Sequence, residues 1–205
     1  AEPSIIGVSS GGAVFASGLL AIASLAGVER SYGFLKWGTA LAAFIGALLT
    51  TLLVYSLSRV QGKTVVVNLI LVGVAINAMA GGFVTLFSFI GGTMAQSQVV
   101  FWQLGSLAGA GWSSAVITLI ITVIGIVIAC LCAPKMDLLA LGENQARHLG
   151  VNVERFRLCV IILVAALVGV GVAFAGVIAF VGLIVPHAIR LIIGPQHKWL
   201  LPTSA

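Results

Sequence analysis

Charge is what this sequence lacks. Of 205 residues only 7% are Asp, Glu, Lys or Arg, and just five of those are acidic. Soluble domains carry roughly 25% charged residues, because their exterior faces water. Here 60% of the residues are hydrophobic, and what remains is too little to build a polar exterior. A soluble globular domain is excluded. The five carboxylates all fall between the apolar runs. Carriers driven by protons usually hold an ionisable group inside the bundle, so this scarcity counts against one. No constellation of catalytic residues is present either, and no catalytic site is assigned.

Cysteine is nearly absent as well. Cys130, Cys132 and Cys159 form no repeating framework, which argues against a disulfide scaffold. Without a second Cys/His pair at zinc-like spacing, no metal site is assigned. The net charge of +5 comes without the clustered Lys/Arg and exposed aromatics of a nucleic-acid groove. A phosphate-binding loop is missing too. Gly62-Lys63-Thr64 supplies its ending, but Leu57 stands where the first glycine is required. If ATP drives this protein, another chain hydrolyses it.

Long apolar runs fill the remainder. They extend over Ile5–Val28, Trp37–Ser58, from Thr64 to a break near Gly91-Gly92-Thr93, over Ala115–Ala133, and over Leu158–Val185. Pro134-Lys135 and Pro186-His187 are expected to end the last two. Each run reaches or approaches the ~20 residues that cross a bilayer as a helix. A lone apolar run must satisfy its own backbone there, so helices are expected throughout. The twenty-five glycines suit close helix contacts. The fold expected is an all-α, polytopic transmembrane helix bundle with about five complete spans.

Basic residues orient it. Arg59, Lys63, Lys135, Arg147, Arg155 and Arg157 fall in one set of loops, and Arg30, Lys36, Arg190 and Lys198 in the other. Six against four places the first set in the cytoplasm. The chain opens at Ala1-Glu2-Pro3 and stops at Thr203-Ser204-Ala205 as a new apolar segment begins. Both ends read as cut. Residues 1–205 are expected to form a single transmembrane domain truncated at both ends, with residues 134–157 as its cytoplasmic loop.

Three segments stand out. Gly7 and Gly11, flanking Ser9 and Ser10, have a small-xxx-small spacing that favours tight helix packing. The serines could also hydrogen-bond a substrate or a neighbouring helix. Phe101 to Leu107, containing Trp102, is apolar, aromatic and too short to span. It reads as an interfacial or re-entrant helix, or as an aromatic belt at the headgroups. Leu138 to Phe156 has more structure than a connector needs. Glu143 to Leu149 reads as a short amphipathic helix stopped by Gly150, with Glu143 and Arg147 spaced for a helical ion pair. Its narrow apolar face and mixed charges suit docking to a protein better than resting on lipid.

Certain stretches resemble the FecCD-type permeases, the membrane subunits of ABC importers for iron-siderophores, haem and vitamin B12. They are Ala1-Glu2-Pro3-Ser4-Ile5-Ile6-Gly7-Val8-Ser9-Ser10-Gly11, Leu139-Ala140-Leu141-Gly142-Glu143 through Ala146-Arg147 to Leu149-Gly150-Val151, and Ala175-Gly176-Val177-Ile178-Ala179-Phe180-Val181-Gly182-Leu183-Ile184-Val185-Pro186-His187. The resemblance implies a ten-helix type II importer fold, of which this chain would hold the third to seventh helices and the start of the eighth. It implies that Leu141, Gly142, Glu143, Ala146, Arg147, Leu149 and Gly150 couple to an ATPase subunit. Lys63, Thr64, Val65 and Val66 would lie at a cytoplasmic gate. Gln98, Phe101 and Trp102 would lie near a periplasmic gate, and Ser9, Ser10 and Gly11 along the pathway or its packing. His187 is then a structural corner on the outer side rather than a haem or iron ligand.

The resemblance further implies a multi-pass protein of the bacterial cytoplasmic membrane. Its partners would be the lipid bilayer, an ATPase, a substrate-binding protein on the outer face and a second permease subunit, identical or homologous. Nucleic acid is not among them. No cofactor is expected on this chain, and ATP with magnesium would sit on the ATPase. An ion-gradient-driven secondary transporter and a non-transporting assembly subunit are the alternative readings.

Overall fold

The structure, a computed structural model, describes residues 3–27, 32–60, 63–107, 110–140, 142–178, 180–194 and 197–204. A 3-10 turn, Pro3–Ile6, leads into α1 (Val8–Leu25) and α2 (Tyr32–Leu57). A minimal hairpin of β1 (Arg59–Val60) and β2 (Lys63–Thr64) joins α2 to α3 (Val66–Ile90). Then come α4 (Gly92–Leu104), α5 (Trp112–Ala140), α6 (Glu143–His148), α7 (Val153–Ala175), α8 (Val181–Ile193) and α9 (His197–Ser204).

Among the described residues, five helices are long and apolar enough to cross a membrane: α1, α2 from Leu35, α3, α5 to Leu139, and α7. The 25 residues of α3 extend about 37 Å at 1.5 Å per residue, enough for the hydrocarbon core. Hydroxyls inside these helices donate to their own backbone: Thr51 Oγ1 to the Ala47 carbonyl at 2.7 Å and Ser88 Oγ to the Val84 carbonyl at 2.7 Å. That pairing removes most of the cost of placing a hydroxyl in hydrocarbon. Large apolar side chains on α5 face outward, with Leu131 75% exposed and Leu119 62%. Such a surface is stable against lipid or further helices, not against water.

The core is built from small residues. Ala16, Ala40, Ala43 and Ala173 pack together from α1, α2 and α7, and Phe44, Phe174 and Trp102 close over them. Where α1 crosses α2, Gly11 and Gly46 face each other. A Cβ on Gly46 would lie 2.5 Å from the Gly11 carbonyl oxygen. The small residues at Gly7 and Gly11 therefore serve helix contact, as their spacing suggests.

Two expected boundaries are corrected. Pro134 does not end its span: α5 continues through it to Ala140. Proline removes only one backbone hydrogen bond, and membrane helices tolerate it. Residues 134–140 thus belong to a helix, and the loop proper starts later than expected. The expected run Leu158–Val185 is also not one span. The α7 helix starts earlier, at Val153, and stops at Ala175; Pro186 lies inside the separate α8. The break at Gly176, φ +73, comes from a packing demand described below.

Candidate functional site

The hairpin and α6 lie on one face of the bundle, and the first turns of α7 bring them together. Asn152 caps α7, its Oδ1 accepting from the Arg155 N–H, which leaves the acidic Glu154 in the favourable first turn. Glu154 accepts from the Thr64 N–H at 3.2 Å through Oε1 and from the Thr64 hydroxyl at 2.8 Å through Oε2. One turn on, Arg157 Nη1 donates to the Thr64 carbonyl at 3.0 Å and to Glu154 Oε1 at 3.4 Å. Its other arm, Nη2, pairs with Glu143 at the start of α6. Arg59, over the Tyr55 ring at 5.9 Å, adds a second positive charge that acts on Glu154. Two carboxylates and two guanidiniums balance, with Thr64 buried among them.

The expected ion pair between Glu143 and Arg147 is therefore replaced. Glu143 turns inward to Arg157, a partner 14 residues away that no helical spacing reveals. Arg147 is left on the exposed side of α6 with Asn144, Gln145 and His148, and Leu149 is exposed behind it. Ala146 points the other way and is 0% exposed. It anchors α6 to the bundle rather than facing outward. Gly150, φ +82, ends the helix as expected. Its N–H bonds the Arg147 carbonyl and the Val151 N–H bonds the Ala146 carbonyl, the paired bonds of a left-handed C-terminal cap. Gly142 precedes the helix at φ +121. Leu141 and the side chains of Lys63 and Phe101 lie outside the described residues; Lys63 pairs by its backbone with Val60. Val65 and Val66 are exposed beside the hairpin.

A second assembly lies deeper. A cavity of about 460 Å³ is lined by Ser4, Ser9, Ser10, Asn77, Thr85 and Gln103 among small and apolar residues. None of the described residues in that lining carries a charge. Asn77 Nδ2 donates to the Ser4 carbonyl at 3.0 Å and so holds the 3-10 turn against α3. Ser10 donates to the Gly7 carbonyl of its own chain at 3.2 Å. An adjoining cavity of about 290 Å³ shares Ser4, Ser9 and Val177.

The α4 helix follows α3 after a break at Gly91, whose carbonyl accepts from Ser24 at 2.7 Å, and its far end meets the end of α7. There Ser106 N–H donates to the Ala175 carbonyl at 2.8 Å and Val177 N–H to the Trp102 carbonyl at 3.4 Å. These bonds satisfy backbone groups freed where both helices stop. They also explain the break in α7. A Cβ at Gly176 would collide with the Trp102 carbonyl oxygen, so only glycine permits this approach, and its left-handed backbone turns the chain out of the helix. Trp102 itself packs into two core clusters and against Gly12 of α1. Gln98 is exposed on α4. Trp102 thus anchors the far end of α4 to the core.

The sequence model of the FecCD transport family matches residues 1–205. The chain belongs to that family. It is 36% identical over 206 residues to the hemin transport system permease protein of Yersinia pestis, covering 100% of this chain and 60% of that protein. Against the cobalamin import system permease protein of Halobacterium salinarum it is 37% identical over 205 residues, 100% of this chain and 53% of that protein. The vitamin B12 import system permease protein of Vibrio vulnificus gives 37% over 205 residues, with 59% of that protein covered. A solved structure, an inward-facing conformation of a chain assigned as a metal-chelate type ABC transporter, superposes with a TM-score of 0.86 at 30% identity. That match covers 100% of this chain and 62% of the other. The chain thus spans between half and three-fifths of the length of these curated relatives.

Within this FecCD chain, the residues singled out from the sequence separate into two places. Thr64 and Glu143 meet at the cluster on α7, while Ser9 and Ser10 line the deeper cavity. Sequence reasoning did not place Glu154, Arg157, Asn77 or Gln103 in a site. The Glu154–Arg157 spacing of one helical turn behind an Asn cap was a usable signal for the first pair. Asn77 was visible as an amide within an apolar run.

Proposed function

We propose that this chain is part of the membrane-spanning permease subunit of an ABC importer, carrying an iron(III)-siderophore or a related large chelate such as haem or cobalamin into the cytoplasm. The observation that carries the reading is the family match over the whole chain. The exposed face of α6, with Arg147, His148 and Leu149 outward and Ala146 locked inward, supports it as the surface that docks a separate ATPase, on which ATP and magnesium bind. The hairpin side is then cytoplasmic. A substrate-binding protein delivers the chelate to the opposite face, and a second permease subunit completes the pathway. The uncharged cavity at Ser9, Ser10, Asn77 and Gln103 is this chain's share of that pathway. Its hydroxyls and amides offer weak hydrogen bonds that guide a large substrate without trapping it. Thr64, Val65 and Val66 lie at the cytoplasmic gate, and α4 with Gln98 and Trp102 at the periplasmic one. The permease performs no chemistry of its own.

The test is co-purification of the full-length protein with its ATPase subunit. Arg147→Glu reverses the charge on the exposed side of α6 without touching the internal contacts of Glu143 or Ala146. Association is expected in the wild type and should weaken at least roughly tenfold in the variant, the scale of a lost charge-assisted contact at an interface. No association in the wild type would overturn the reading and favour an ion-gradient-driven carrier.

A further inference from the structure

Thr64 lies 90 residues before Glu154, yet all of its polar groups are held by two side chains of α7. The Glu154 carboxylate takes its N–H and its hydroxyl, and the Arg157 guanidinium takes its carbonyl. The same guanidinium holds Glu143 at the first residue of α6. One planar side chain therefore touches three segments: the hairpin, the docking helix and α7. Its side chain is 18% exposed and that of Glu154 22%. The Glu143 side chain is 47% exposed, so its pair with Arg157 contributes little net stability, but forked charge-assisted bonds are strongly directional. What they supply is register. The remaining described backbone bonds of β2, its ladder to β1 and the Val65 N–H to the Ser58 carbonyl, stay within the hairpin and its flanking turns. They do not reach α6.

We propose that Glu154 and Arg157 form a latch that makes the hairpin between α2 and α3 and the docking helix α6 one mechanical unit. A partner that displaces α6 then moves the hairpin with it. Glu154 and Arg157 are positioning residues in this scheme, and Thr64 is the keeper they close on. The inference rests on the reading of α6 as a docking element, but the linkage itself is a property of this chain.

The full-length protein in lipid nanodiscs tests it. With Cys130→Ser, Cys132→Ser and Cys159→Ser in place, spin labels at Val60 and Asn144, both exposed, report the hairpin-to-α6 distance by pulsed electron resonance. The unmodified cluster should give one narrow distance. Glu154→Ala and Arg157→Ala should broaden it. Should either fail to fold, Thr64→Val, which keeps the shape and removes the hydroxyl, should broaden it and Thr64→Ser should restore it. In the assembled transporter Thr64→Val is expected to keep its ATPase partner and its ATP hydrolysis. Transport per ATP should fall roughly tenfold, the loss of one hydrogen bond to a charged group. Distances unchanged across all these variants, or broad from the outset, would overturn the latch. The distance readout needs no ATPase, so a failure of docking and a failure of the latch remain distinguishable.

Discussion

Alanine at Gly46 should leave little folded protein. Its Cβ would lie 2.5 Å from the Gly11 carbonyl oxygen and 2.6 Å from two carbons of Phe15. The reciprocal position is no more forgiving, since a Cβ on Gly11 would meet the Gly46 carbonyl oxygen at 2.5 Å and the Thr50 side chain closer still. The obstacle at each is backbone, which no rotamer change can move. Overpacking a core generally costs about 1–3 kcal/mol, and a helix crossing forced apart at its closest point belongs at or above the top of that range. Without a hydrophobic driving force between helices in lipid, close packing is what holds α1 to α2. Gly38→Ala on the same helix is the control. Its nearest neighbour is Leu19 Cδ2 at an ordinary 3.6 Å, so it should change stability by less than about 0.5 kcal/mol. The measurement is recovery of monodisperse protein and its thermal midpoint in detergent. Equal midpoints for the two variants would show that the close crossing is absent.

Trp102→Ala should be nearly as damaging, and for a different reason. The indole bridges a cluster of Ala13, Leu20, Val84 and Val99 and another of Ala16, Ala40, Ala43 and Ala173. Removing it opens a void where α1, α2, α4 and α7 meet, and truncations of this kind cost about 3–5 kcal/mol. Trp102→Phe keeps most of the volume and should recover more than half of the loss. A residue that served only as a gate would behave otherwise: its removal would alter transport while leaving the thermal midpoint in place. Measuring both on the full-length protein separates the two roles. An unchanged midpoint in Trp102→Ala would refute its place as an anchor.

The scarcity of charge, the lengths of the apolar runs and the small-xxx-small spacing determined, by themselves, that the chain crosses a membrane as a bundle of five helices. The Gly91-Gly92 break and the stop at Gly150 were legible for the same reason: each is written in local backbone preference. Periodicity could not show the end of α7 at Ala175. That boundary depends on the Trp102 carbonyl, 74 residues away in sequence, pressing on Gly176. Pro134 misled because proline's cost is small once the rest of a membrane helix is formed.

The candidate site divides along the same line. Motif residues of α6 could be picked out one by one, but which of them face outward could not, because a six-residue helix has too few turns to define an apolar face. Tertiary structure decided that Ala146 is buried, that Glu143 turns to Arg157 and that Arg147 stays on the exposed side of α6. It also brought Thr64 to Glu154 and lined one cavity with serines, an asparagine and a glutamine from separate segments. Local sequence specifies helices through interactions a few residues long. Charge partners and shared cavities are contacts between segments far apart in the chain, and only the packed bundle brings them together.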